Sequence, residues 1–417
     1  MANGQGRAPL DGAGDAALRA RAARVVPGGM WGHQRAASLP EGYPQFFQRA
    51  EGCRIVDADG RAYVDLMCSW GPIVLGHRHP AVEAAADAQR ALGDCMNGPG
   101  APMVALAERL VATIPAADWA LFQKNGGDAT TACVMIARAA TGRRKVLVAR
   151  GSYHGVAPWC TPSVAGVTAE DRTHVLHFDY NDVDSLAAAV REVGDDLAAV
   201  LVTALRHDLG RDQELATPEF ARAARELSAR AGAALVVDDV RAGFRLDLSG
   251  SWESLGIRPD LSAWSKAIAN GHALAAVTGA DWLREAATKV FITGSFWTAS
   301  VSMAAALATL DELHRIDAPA VMARAGQRLR DGLEAQARAH GVRLRQSGPP
   351  QMPLVLFEDD PGQVLGERFC REALAHGAYL HPRHNMFLCT AHDDAAIDAV
   401  LAATDAGMRA VARARAG

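Results

Sequence analysis

Residues 233–240 read AALVVDDV, an apolar run that ends on two adjacent aspartates. Apolar residues at consecutive rather than alternating positions predict a strand covered on both faces, the condition of a parallel sheet packed between helices. Charge enters only at the carboxyl end of the run, where an open α/β sheet presents its ligand contacts. The same pattern recurs on either side, so VLVA (146–149), HVLHF (174–178), AAVLVTAL (198–205) and AAVTGA (275–280) are predicted strands of one buried parallel sheet. Between two of them, PEFARAARELSARAG (218–232) sets Phe220, Ala224 and Leu227 at helical spacing between an opening proline and a closing glycine. Strands alternating with such crossover helices define the α/β class.

The flanks differ. FFQRAEGCRIVDADGRAYVDL (46–66) holds two short alternating runs around Asp59-Gly60, a hairpin pattern. Beyond residue 302 the chain predicts helix, then RLRQS, PLVLF and NMFLCT as short strands between helices. A single core stops growing beyond about 250–300 residues, so 417 residues predict more than one unit. The expected division is a large domain over 81–310 with a mostly parallel sheet, and a smaller α+β domain built from 1–80 and 311–417.

Composition excludes several function classes. With 43 basic against 47 acidic side chains there is no basic stripe for nucleic acid and no polybasic membrane patch. No run approaches the roughly 18 apolar residues of a membrane span, and the first residues lack the apolar stretch of a signal peptide. The seven cysteines are scattered and never form Cys-x-x-Cys, which points away from a disulfide framework or a zinc site and towards a reducing cytoplasm. No metal is expected.

Lysine usage points to the chemistry. Lys124, Lys145, Lys266 and Lys289 are the only lysines in a chain that otherwise uses arginine, and Lys266 sits in LSAWSKAIANGH (261–272), between an apolar strand and a glycine turn. An amine at a sheet edge can form a Schiff base with an aldehyde, and pyridoxal phosphate is the common cofactor that needs one. That cofactor also needs a buried carboxylate at its pyridinium nitrogen. Asp238, at a predicted strand end, fits the role, although alone it is equally a turn or cap residue. Asn125-Gly126-Gly127, with a helix expected from Asp128, offers backbone N–H groups and a helix dipole to a phosphate; a plain glycine turn is the other reading. There is no Walker A ending and no Gly-x-Gly-x-x-Gly, so nucleotide binding has little support. Tyr153 of GSYHG (151–155) can stack on a planar ring or simply pack under its loop. Val240, two residues beyond Asp238, is expected by strand alternation to share its side and press on the opposite ring face.

Taken in order, VPGG (26–29), DADGRAYVDL…SWGPIVLGHRHP, NGGDAT…ARAATGR, GSYHG, VVDDVRAGFR, PDLSAWSKAIANG and GSFWTASVSMAAA resemble the class III aminotransferases of pyridoxal-phosphate fold type I, in their glutamate-1-semialdehyde aminomutase-like branch. The resemblance implies Lys266 as the Schiff-base lysine, Asp238 as pyridinium partner, Gly126 and Gly127 at the phosphate, and Tyr153 and Val240 on the two ring faces. It further implies that Ser295 reaches the phosphate of a neighbouring subunit in a homodimer, that Arg35 holds a substrate carboxylate, and that Trp70 walls the substrate site. The chain departs from the family at Asn-Gly-Gly in place of Ser-Gly-Thr, at Asp238-Asp239 in place of Asp-Glu, and at Thr203-Ala204 in place of Glu-Pro. After the last of these, His207 is the expected contact to the cofactor's phenolic oxygen. HPRHNMF (381–387) replaces the aminomutase's glutamate motif, and Phe296-Trp297-Thr298-Ala299 its flexible loop, which argues against glutamate-1-semialdehyde as substrate. The expected reaction moves an amino group from an amino acid donor to a keto or aldehyde acceptor bearing a carboxylate, with aryl, cyclic and β-amino acid precursors as acceptor classes. An intramolecular aminomutase or racemase and a non-catalytic binding protein of the same fold are the alternatives.

Overall fold

The structure is a computed structural model and describes residues 14–32, 35–207 and 210–416. Helix α1 (Asp15–Val25) precedes an antiparallel meander of β1 (Phe47–Glu51), β2 (Arg54–Asp57) and β3 (Ala62–Asp65), with the expected Asp59-Gly60 turn between the last two. Helices α2 (Pro80–Leu92) and α3 (Ala101–Thr113) lead to β4 (Trp119–Gln123) and α4 (Gly126–Thr141). Next come β5 (Lys145–Ala149), β6 (Val175–Phe178), α5 (Val183–Val193), β7 (Leu197–Thr203) and a short pair, β8 (Leu205–Arg206) and β9 (Glu214–Leu215). Helix α6 (Pro218–Arg230), β10 (Ala234–Asp238), β11 (Leu261–Trp264) and β12 (Ala275–Gly279) complete the central unit. The rest is α7 (Arg284–Lys289), α8 (Ser300–Arg315), α9 (Ala318–Ala339), β13 (Leu344–Ser347), β14 (Leu354–Phe357), α10 (Val364–Ala375), β15 (Ala378–Tyr379) and α11 (Asp394–Ala416).

Seven strands form the main sheet in the order β4-β12-β11-β10-β7-β5-β6. Both faces are covered, as the unbroken apolar runs require. Val236 and Leu201 pack with Cys133 and Ile136 of α4, whereas Leu235, Val237 and Val202 pack with Phe178, Phe220 and Trp252. One expectation fails here: β12 runs antiparallel to both β11 and β4. The ten residues 265–274 between β11 and β12 are too few for a helical crossover, which takes a dozen or more, so the chain must double back.

NMFLCT also departs from expectation, because it forms no strand. Its amides are shared out among different segments: Met386 N–H donates to Pro353 O, Phe387 to Leu66 O, Leu388 to Gln351 O and Thr390 to Val74 O. The segment is extended and buried, which explains its apolar pattern, but no single partner gives it a ladder. Ala378 and Tyr379 pair with β3 instead.

Candidate active site

The carboxyl ends of β7, β10 and β11 lie side by side, with Asp238 in register between Thr203 and Ala263. They open onto a cavity of ≈ 760 Å³ whose walls include Asp238, Lys266, Tyr153, Val240, His207 and Arg241. This is the edge at which parallel sheets take ligands.

Lys266 follows β11 in a left-handed conformation (φ 49°), so the chain turns sharply and carries the side chain to the cavity wall. Asn270 secures the turn. Its Oδ1 accepts from the N–H groups of Val74 and Leu75 at 3.0 and 2.9 Å, and its Nδ2 donates to Gly76 O. Burial, and then the nearby Arg241 guanidinium, lower the Lys266 amine from its usual 10.5 to about 7. Such an amine is partly unprotonated at neutral pH, as a group that must attack or carry a proton requires.

Asp238 is 7% exposed, and its Oδ2 lies 2.8 Å from His154 Nδ1. The buried His154 ring stacks on Trp159 at an interplanar angle of 16°, and its Nε2 has no hydrogen-bond partner among the described residues. Asp238 Oδ1 accepts the Val240 N–H at 3.1 Å. Val240 lies beyond the end of the strand, so this Asx turn, not strand alternation, holds it at the cavity wall.

Helix α4 begins at Gly126, two residues earlier than expected, and Asn125 is its N-cap, with Asn125 N–H donating to Asp128 Oδ2 at 3.0 Å. The glycines are demanded by packing. A Cβ on Gly126 would stand 2.5 Å from Val240 Cγ1, and a Cβ on Gly155, whose φ is +119°, would stand 2.6 Å from Gly127 Cα. The helix N-terminus is thereby pressed against both the Asp238 turn and the GSYHG loop, leaving its first N–H groups beside the cavity.

Arg241 and its partners were not singled out from sequence. The guanidinium lines the cavity, donates to Asn385 Oδ1 at 2.6 Å, meets His384 Nε2 at 3.2 Å and lies 5.6 Å from the centroid of the Phe387 ring. Burial brings it down to about 10. The arginine following VVDDV was the only available signal. His154 stands inside the quoted GSYHG, but nothing local indicated that its partner would be Asp238.

Three residues implied by the resemblance lie outside the cavity lining. Arg35 is exposed and donates from Nε to Ser38 Oγ at 3.2 Å, and its neighbours 33–34 are outside the described residues. Ser295 is exposed in the turn before α8. Trp70 is half-buried and makes edge contacts with His381 and His384 at 5.2 and 4.9 Å. Cys68, Ser69 and Trp70 all have positive φ, a run held by Asp65 Oδ1, which accepts the Met67 and Cys68 N–H groups. Cys68, Cys389 and His392 lie within 4.8 Å of one another in the core, a grouping that their sequence separation concealed.

The site fits pyridoxal phosphate on its own chemistry. It combines a buried carboxylate at a strand end, an amine brought to about 7, a glycine cradle with helix N–H groups, and aromatic and β-branched side chains on the walls. The class defined by this fold and site is a fold type I pyridoxal-phosphate enzyme.

Comparison with known proteins makes the class specific. Residues 39–393 match the family model for aminotransferase class-III. The aminopentol aminotransferase of Sphingopyxis macrogoltabida is 50% identical over 95% of this chain and 94% of its own. The PLP internal aldimine form of the Sphingopyxis sp. MTA144 FumI protein superposes with a TM-score of 0.95 at 49% identity, covering 97% of each chain. A glutamate-1-semialdehyde 2,1-aminomutase from Rhodopirellula baltica is more distant, 32% identical over 97% of this chain and 98% of its own. The chain belongs to the class III aminotransferases and is a pyridoxal-phosphate-dependent transaminase. Among the described residues no helix is long and apolar enough to cross a membrane.

Proposed function

We propose that this transaminase takes its amino group from an amine on a hydroxylated carbon chain and passes it to a keto or aldehyde acceptor that bears a carboxylate. The observation that carries the donor class is the 50% identity, across 95% of the chain, to an enzyme named for an aminopentol. When bound, pyridoxal phosphate supplies an aldehyde carbon for the nitrogen and a ring that draws electrons from the donor's Cα. With the cofactor bound, the Lys266 amine, brought to about 7, would be the group that takes the proton from the donor's Cα and returns it. Asp238, oriented by His154 Nδ1–H, would accept the hydrogen bond of the protonated ring nitrogen. Gly126 and Gly127, with Asn125, would take the phosphate, and Tyr153 and Val240 would pack on the ring; all five line the cavity.

Arg241 is the donor available to the phenolic oxygen, and His207 is not. Nδ1 of His207 is 3.1 Å from Leu205 O, and a carbonyl only accepts, so the neutral ring leaves Nε2 without a proton. Arg35 and Ser295 act in a homodimer, where Arg35 meets the acceptor's carboxylate and Ser295 the phosphate bound by a second copy, with Trp70 walling the entrance. The smaller domain, from 1–80 and 311–417, brings His384 and Asn385 to Arg241. Free cysteines support a cytoplasmic location.

The test measures donor consumed against keto acid aminated, with 3-aminobutan-2-ol as donor and pyruvate as acceptor. A one-to-one ratio is expected. Isomerised or racemised donor with no keto acid consumed would replace this reading with an intramolecular one.

A further inference from the structure

His207 presents an acceptor that the transamination machinery leaves unused. Its ring lines the cavity, Nδ1–H is committed to its own chain at Leu205 O, and Nε2 has no partner among the described residues. His384 has the same internal bond, Nδ1 to Asn385 O at 2.9 Å, but its Nε2 already meets Arg241. Burial, followed by the charges of Arg241 and Lys266, keeps the His207 ring well below the usual 6.5, so it is neutral at working pH.

The chemistry of the site restricts what the lone pair can meet. Phosphate, phenolate and carboxylate oxygens are acceptors and cannot pair with it. A second ammonium is opposed by the guanidinium and the amine already beside the ring. What remains among the groups of the proposed donor is a neutral one, and on a hydroxylated chain that is an O–H.

We infer that His207, through Nε2, is a specificity-determining residue that accepts a hydrogen bond from a hydroxyl next to the amine of the donor, selecting vicinal amino alcohols over simple amines. The inference rests on the donor class proposed above and assigns the residue that reads it. The position lies where this chain departs from the family pattern, in the Thr203-Ala204…His207 segment that begins on the last residue of β7.

The experiment uses the holoenzyme and two matched amines, 3-aminobutan-2-ol and sec-butylamine, which differ in one hydroxyl. Loss of the cofactor's visible absorbance gives the half-reaction kcat/KM for each. The native protein should prefer the amino alcohol by about 10-fold, the worth of one desolvated hydrogen bond. His207→Phe should abolish the preference by slowing the amino alcohol alone, and His207→Gln, whose amide oxygen is an acceptor, should restore part of it. Equal slowing of both amines by His207→Phe, or no preference in the native protein, overturns the inference and leaves the donor class standing. If neither amine discharges the absorbance while alanine does, donor class and inference fall together.

Discussion

Asp238 and His154 are joined through Oδ2 and Nδ1 at 2.8 Å in a buried position at the end of β10. A carboxylate held by one imidazole N–H and one backbone N–H is fixed in orientation and stays an acceptor for a cationic ring nitrogen. Asp238→Asn keeps the shape and removes the charge. Leaving a buried cation unpartnered costs about 3–5 kcal/mol, so the half-reaction rate constant should fall by roughly two to four decades. Stopped-flow loss of the cofactor absorbance checks this. A fall of less than about tenfold would remove Asp238 from its assigned role.

The Lys266–Arg241 pair sets a pH dependence. Burial and a neighbouring positive charge disfavour the protonated amine, so the rate of any step that uses free Lys266 rises as pH increases through about 7. Replacing Arg241 by methionine removes one of those charges and makes protonation easier. The midpoint of the half-reaction pH profile should therefore move to higher pH in Arg241→Met, while Arg241→Lys keeps it near the native position. A profile that shifts down, or stays put in Arg241→Met, would contradict the coupling.

Gly126 and Val240 form a contact that can be tested as a cycle. The added methyl of Gly126→Ala enters space filled by Val240 Cγ1 at 2.5 Å and should lower stability by about 1–3 kcal/mol. Because the obstacle is a side chain, Val240→Ala in the same protein should recover much of the loss. Denaturant midpoints of the four proteins give the coupling, and simple additivity would mean that the two residues do not press on each other.

Gly155→Ala should cost more than Gly126→Ala. Its new methyl meets the Gly127 backbone, which has no rotamer to change, and the residue already occupies φ +119°. Val240→Ala should not rescue it, and the cofactor should be held more weakly because Gly127 is displaced.

The legible parts of this molecule share a physical cause. AALVVDD could be read because a strand buried on both faces permits only apolar residues, so the two buried aspartates that close it are conspicuous. Lys266 could be read because the chain spends lysine so rarely. The reversed β12 was hidden because a strand's composition does not record its direction; only the length of the 265–274 connection did. Arg241 and its partners His384 and Asn385 are 143 and 144 residues apart, and no local pattern encodes such a meeting. NMFLCT carries the apolar signature of a strand because it is buried, but burial alone does not supply a neighbour to pair with.

The central claim is that Lys266 is the lysine that binds the cofactor. Borohydride reduction of the holoprotein, followed by proteolysis and mass mapping, tests it directly, with Lys124, Lys145 and Lys289 as the only other lysine side chains. A pyridoxyl adduct confined to the peptide carrying Lys266, and absent from Lys266→Ala, is the expected result. An adduct on another lysine, or one that persists in Lys266→Ala, would contradict the account.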